Sequence, residues 1–156
     1  MTILLVKWIF VILHVITAAA WFGLGLRLGG RARAVTNARA EAAQALADDA
    51  AGTVRLMNIF VVLTLVFGLC AFFAGGGFAA YSPVYHTSIL LIVVLVSLQL
   101  FLIRPAWNRL QSSAGSEDSG ALESARKRIA MSTGIGHLCW LVMLVLMFWN
   151  KLAAAF

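Results

Sequence analysis

The sequence predicts an all-α integral membrane protein, a single-domain four-helix up-and-down bundle, and three observations carry that prediction. Of the 156 residues, 62% are hydrophobic and only 12% are charged, with a mean hydropathy of +0.95. A soluble domain averages about 25% charged residues. Four apolar segments are each long enough to cross a hydrocarbon core, which takes about 20 residues. They leave no room for a separate soluble domain.

The four predicted spans should all be helices. They cover residues 8–26, 56–74, 84–103 and 129–149. Lipid offers the backbone no hydrogen-bond partners, so a spanning segment is a helix or part of a closed barrel. Barrel strands alternate apolar and polar residues, whereas the runs ILLIVVLV and WLVMLVLMFW do not alternate. Short connections between four helices favour an up-and-down bundle.

The first span could be a cleavable signal peptide, because TAAAW resembles the end of one. Only Lys7 provides an early positive charge, and the apolar run continues beyond the alanines. We therefore expect an uncleaved first helix.

The basic residues predict how the bundle lies in the membrane. Residues 27–55 and 104–128 carry five basic residues each, ten of the 12 in the chain, whereas the connection 75–83 carries no charge. Short loops rich in Lys and Arg face the cytoplasm. We expect a multi-pass protein, typical of a bacterial cytoplasmic membrane, with these two loops cytoplasmic and both termini outside. The net charge of +6 is thereby explained, and no nucleic-acid partner is expected.

The connections themselves predict some local structure. The first loop is alanine-rich, which favours extension of both flanking helices into the cytoplasm. The third contains SSAGSEDSG, which is typical of an exposed turn. Pro105 should end or kink the third helix. Cys70 and Cys139 both fall inside spans, and their spacing matches no zinc signature, so we expect free buried thiols.

Three histidines lie in three different spans: His14, His86 and His137. Intramembrane polar side chains face the bundle interior, because lipid cannot solvate them. The histidines lie 13, 18 and 9 positions from the nearest cytoplasmic basic residue. At 1.5 Å per residue this places neighbouring histidines roughly 6 to 7 Å apart in depth. Trp21 shares the helical stripe of His14.

These histidines favour haem b as a cofactor. Imidazole is a natural axial ligand of haem iron, and bundle interiors commonly hold such sites. The candidate cofactor-binding residues are His14, His86, His137 and Trp21, with the three histidines as possible iron ligands and the pair undecided. Two alternatives stay open: structural histidines that hydrogen-bond across helices, and copper ligands. Cu(I) prefers clustered sulfur ligands, but the methionines are scattered, and His137 and Cys139 point to different helix faces.

Three stretches of the chain resemble a known family. They are KWIFVILHVITAAAWFGLGLRL, the RLMN at Arg55 to Asn58, and VYHTSILLIVVLVSLQL. In order and spacing they resemble the HemJ-type protoporphyrinogen oxidases and their CopD-like four-span relatives, over nearly the whole chain. The resemblance implies a haem b protein, oxidation of protoporphyrinogen IX to protoporphyrin IX in HemJ itself, and a role for His14 as the first-helix histidine.

The chain departs from that family at two places. The family has a lysine two residues after the third-span histidine, and this chain has Ser88 there. A hydroxyl cannot pair with a substrate carboxylate as a lysine does. His137 also lies beyond the family's pattern. Both departures imply an altered or absent oxidase activity.

The sequence as a whole therefore predicts a haem b-binding membrane protein for electron transfer or HemJ-like porphyrinogen oxidation. Two histidine ligands would favour electron transfer, since they leave no open coordination position. The alternative is a non-catalytic accessory subunit of a larger membrane complex, because little polar chemistry lines the spans. CopD-like copper handling is the third hypothesis. Expected partners are the lipid bilayer and either other membrane subunits or further copies of this chain.

Overall fold

The computed structural model describes residues 2–116 and 118–153, and within them the chain is an all-α four-helix bundle, which confirms the predicted fold class. The helices are α1 (Thr2–Asn37), α2 (Ala40–Ala74), α3 (Pro83–Ser97), α4 (Arg104–Ser113) and α5 (Ser119–Ala153). A π-helical segment, Leu98–Ile103, joins α3 to α4, so these three form one span. No strand occurs in the described ranges.

Four long helices are apolar enough to cross a membrane among the residues described, as expected of a multi-pass membrane protein. Residues 38–39, between α1 and α2, and the described residues between α4 and α5, 114–116 and 118, lie at one end of the bundle, which we call the basic end. The connection 75–82 lies at the opposite end and contains a short 3₁₀ helix, Gly77–Ala79. Large apolar side chains such as Ile12, Leu90 and Leu138 are exposed on the outer faces, where lipid would cover them.

The helices extend well beyond the predicted spans. The alanine-rich first loop is helical almost throughout, since α1 ends at Asn37 and α2 begins at Ala40. This extension was expected from its composition, because alanine has the highest intrinsic helix propensity. The third loop is shorter than its sequence indicates, because α4 runs to Ser113 and α5 starts at Ser119.

Pro105 neither ends the third span nor stands inside a regular α-helix. A proline lacks the N–H that the carbonyl four residues earlier would accept in an α-helix. The π-helical segment directly before α4 relieves this mismatch, because its hydrogen bonds join residues five apart. Pro105 then lies in the first turn of α4, where a missing N–H costs least. The helix therefore continues past the proline.

The core of the bundle is a seam between α1 and α2. Buried positions recur every three or four residues along both helices, which is the pattern of a left-handed supercoiled pair. On α1 they are Thr17, Trp21, Gly25, Leu28, Ala32 and Val35, and on α2 Ala43, Ala47, Ala50, Val54, Met57, Val61 and Thr64. Small residues dominate towards the basic end, so the two backbones approach closely there.

We predict that Ala47→Leu destabilises the bundle by about 1 to 3 kcal/mol, because the added side chain forces the seam apart. Ala47 is fully buried, whereas Ala45 on the same turn is exposed. Ala45→Leu is therefore the matched control and should change stability by less than about 0.5 kcal/mol. Thermal unfolding of the detergent-solubilised variants measures both changes in stability. Equal losses of stability in the two variants would contradict close packing of the helices at Ala47.

Candidate functional site

His14 lies at the interface between α1 and α2, where it hydrogen-bonds across the helices. Its Nδ1 is 2.8 Å from the main-chain oxygen of Thr64. A carbonyl only accepts, so Nδ1 carries the proton, and Nε2 of the neutral ring keeps its lone pair. A histidine that binds a metal through one nitrogen commonly donates the other N–H to a carbonyl in this way. The same bond is also what a purely structural histidine would make.

Gly68 makes room for the His14 ring on α2. A Cβ atom at this position would lie 2.8 Å from Nδ1 and 2.9 Å from Cε1, well inside contact distance. One turn earlier, the hydroxyls of Thr64 and Thr17 are 3.1 Å apart. The polar groups of this part of the interface thus satisfy one another inside the bundle.

His86 lies in the first turns of α3, beside an aromatic cluster from α2 and the following connection. Its ring centroid is 5.1 Å from that of Phe78 and 6.3 Å from that of Phe72. Its Nε2 is buried and has no hydrogen-bond partner among the described residues, and the same holds for the hydroxyls of Ser82 and Ser88. A buried polar atom left unpaired costs about 1 to 3 kcal/mol. A binding role is one of the explanations for such a group.

His137 lies on α5 and packs against α1. A Cβ at Gly25 would lie 2.6 Å from its Nε2, so glycine is required there too. Its ring centroid is 4.8 Å from that of Phe22 and 5.9 Å, edge-on, from that of Trp21. Its Nε2 is likewise buried without a hydrogen-bond partner in the described part of the chain.

His14 and His86 contact α2 at points about one turn apart, whereas His137 contacts α1 further along the bundle. His14 contacts α2 at Gly68 and His86 contacts it at Phe72, four residues later, which is about 6 Å along the helix. His137 contacts α1 at Gly25, eleven residues from His14, or about 16 Å. The depth spacing inferred from the sequence therefore fits the first pair and is wrong for the second.

The reason is that the basic residues used as depth markers do not lie at one level. Gly25 is level with His137, and Arg27 comes two residues beyond Gly25 on α1. Arg128 comes nine residues from His137 on α5, so it lies about 10 Å further towards the basic end than Arg27.

Trp21 has a hydrogen-bonding role that its position in the sequence did not indicate. Its side chain is 1% exposed, and its indole N–H donates to Oε1 of Gln99 at 3.1 Å. The Gln99 amide in turn donates to Oδ1 of Asn58 at 2.7 Å. These two hydrogen bonds connect α1, the π-helical segment and α2. Nothing in the sequence pattern predicts that Gln99 and Asn58 bond to each other, although an amide inside an apolar span is a recognisable signal of a polar role.

The side chains offer no ready-made site for a bare metal ion. No group of three or more His, Cys, Asp or Glu side chains comes together in residues 2–116 and 118–153. Cys70 and Cys139 are both free and half-buried. A porphyrin iron needs only its axial ligands from the protein, and one or two imidazoles suffice for it. This donor set is compatible with haem and gives copper little support.

We predict that Gly68→Ala displaces the His14 ring, breaks its bond to Thr64 and destabilises the protein by about 1 to 3 kcal/mol. Gly23→Ala is the matched control on α1, because a Cβ there meets nothing within 4 Å. That control should be neutral or stabilising, as alanine favours the helix. Thermal unfolding and the ¹⁵N shifts of the His14 ring report the two effects. Equal stability of the two variants would contradict the close contact.

We also predict that Gln99→Leu costs about 1 to 3 kcal/mol, because it leaves the Trp21 N–H and the Asn58 amide unpaired inside the bundle. Gln44→Leu serves as the control, since Gln44 is exposed and bonds only along its own helix to Asp48. It should change stability by less than about 0.5 kcal/mol. Unfolding midpoints that fall equally in both variants would refute the network's role.

Comparisons with known proteins assign the chain to no family. No family model matches it, and no match was found among the curated proteins or among the solved structures. The resemblance to HemJ-type proteins therefore rests on the residue pattern alone. Function has to be argued from the site itself, since a four-helix fold hosts many functions.

Proposed function

We propose that this chain is an integral membrane protein that binds haem b through His14 and His86 and serves in electron transfer. The observation that supports the proposal is that His14 and His86 contact α2 at Gly68 and Phe72, about one turn apart along that helix. The His14 ring has its Nδ1 engaged by Thr64, which leaves Nε2 as the ligand atom. The Nε2 of His86 is buried and has no partner among the described residues.

The surroundings of this pair suit a porphyrin. Phe72 and Phe78 provide apolar, aromatic surface beside His86, and Gly68 lets the His14 ring lie close against α2. Bound haem b supplies a one-electron couple between ferric and ferrous iron, tuned by its axial ligands and their hydrogen bonds. The protein's contribution is to present two neutral imidazoles. The Thr64 carbonyl holds one of them in a fixed tautomer and orientation.

Two features favour electron transfer over HemJ-like porphyrinogen oxidation. Ligation by two histidines leaves no open coordination position for oxygen. Ser88, where the resembled family has a lysine, supplies no positive charge to a substrate carboxylate, and its hydroxyl is buried without a partner among the residues described. HemJ-like oxidation is the alternative chemistry at the same residues.

The proposed topology places the basic end of the bundle in the cytoplasm and both termini outside, following the distribution of positive charge. His86 belongs to the first turns of α3, at the end opposite to the basic end, and His14 lies about one turn deeper. The haem would then be nearer to the outer surface of a bacterial cytoplasmic membrane. A redox partner on that side would have the shorter electron-transfer distance.

We predict that the purified protein, expressed with ample haem, shows a Soret band and sharp α and β bands on reduction with dithionite, as a low-spin b-type haem does. His14→Ala and His86→Ala should each remove or shift these bands, because each removes an axial ligand. His137→Ala is the matched control and should keep them, because His137 contacts α1 about 16 Å from His14.

The possible outcomes separate the hypotheses. A normal spectrum in His86→Ala with loss in His137→Ala would overturn the proposed pair. Haem content unchanged in all three variants would exclude histidine ligation. A colourless protein would favour a structural role for all three histidines, and the hydrogen bond between His14 and Thr64 is typical of such a role. The protein would then be best explained as a non-catalytic subunit. Metal analysis of the same sample tests copper handling.

A further inference from the structure

The basic end of the bundle contains a cleft between α4 and α5 that the haem proposal does not involve. Its volume is about 170 Å³. The buried methyl groups of Ala106 and Ala125 contribute to its lining, and the small size of both residues leaves the space open. Such a cleft is smaller than the pockets of about 300 to 1,000 Å³ that hold drug-sized ligands. It suits a single small chemical group.

The polar lining of this cleft is made of guanidinium and hydroxyl groups. Arg109 and Ser112 contribute from α4, and Ser124 and Arg128 contribute from α5. In each helix these residues are three or four positions apart and share one face. The helices are antiparallel on either side of the short turn, so both helices direct an arginine to the same cleft. No carboxylate is among the lining residues.

The charge of these two arginines is not neutralised by acidic side chains in the described ranges. The neighbouring basic residues of α5 do have an acidic partner. Arg126 makes two hydrogen bonds to Glu123, of 2.5 and 2.7 Å, and Lys127 lies 3.7 Å from the same carboxylate. No ion pair is formed by Arg109 or Arg128 with the described residues. Within the described residues, no carboxylate therefore neutralises the two guanidinium groups of the cleft.

The cleft also lies where the apolar part of the bundle ends. The uncharged stretch of the third span stops at Arg104, and that of the fourth begins after Arg128. The cleft therefore adjoins the end of the apolar surface of these two helices, where lipid headgroups come within reach. Arg109, Ser124 and Arg128 are exposed, so the cleft is open to its surroundings.

We propose that this cleft binds a phosphate group, supplied by the headgroup of an anionic phospholipid. Guanidinium groups bind phosphate oxygens in pairs of parallel hydrogen bonds, and serine hydroxyls donate further ones. The bound lipid ties α4 to α5 at the basic end. This inference is independent of the haem proposal, because the two sites share no residue.

The test uses the full-length protein in detergent and measures binding of dioleoylphosphatidylglycerol by native mass spectrometry. Wild-type protein should retain this lipid in preference to dioleoylphosphatidylcholine. The double variant Arg109→Gln, Arg128→Gln should bind it at least about tenfold more weakly, since each lost charged hydrogen bond is worth about 1.5 kcal/mol or more. Arg33→Gln removes one charge from an exposed position at the same end and should bind like wild type.

A third variant, Ser124→Leu, separates a built site from general electrostatic attraction. It fills the cleft but keeps both arginines, and it should lose binding as the double variant does. It also tests the proposal if the double variant fails to fold. Equal weakening by Arg33→Gln, unchanged binding in Ser124→Leu, or equal retention of the two lipids would overturn the proposal. Displacement of the lipid by millimolar inorganic phosphate would assign the cleft to free phosphate instead.

Discussion

The close packing of α1 against α2 is the constraint on which the rest of the structure depends. In lipid, helices associate through contact and hydrogen bonding, because apolar burial gives no advantage over lipid tails. The seam of small residues provides that contact, and each of the two helices also has a glycine beside an imidazole ring. The missing side chains are replaced by imidazole rings, His14 against Gly68 and His137 against Gly25. The same two notches therefore hold the bundle together and place two of the three candidate ligands.

Hydrogen bonds then determine how the remaining span joins this pair. Gln99 bridges Trp21 and Asn58, and it stands on the π-helical segment that Pro105 imposes. The proline, the irregular helix and the buried amide are thus one arrangement. Because an unpaired amide is costly in an apolar interior, the bridge fixes the rotation of the third span about its axis. That rotation determines the direction in which His86 points.

The places where buried polar groups lack hydrogen-bond partners suggest the function. Most polar groups in the apolar part have partners, as Thr17, Thr64 and the amides do. The Nε2 atoms of His86 and His137 have none among the described residues. At the basic end the positive charge of Arg109 and Arg128 is not neutralised, since no carboxylate lines the cleft that they share. The proposed haem would give the Nε2 of His86 a partner, and an anionic headgroup would neutralise the two arginines.

The sequence by itself determined the fold class and the four spans, and it singled out the three histidines as candidate functional residues. It could do so because length, apolar composition and the cost of polar groups in lipid act locally along the chain. It also indicated that alanine-rich loops extend the helices. Which histidines are neighbours was decided only by the tertiary structure. Basic residues mark depth only when all helices end at one level, and Arg27 and Arg128 do not. Gln99 and Asn58 likewise become partners, and Arg109 and Arg128 come to line one cleft, only when separate helices pack.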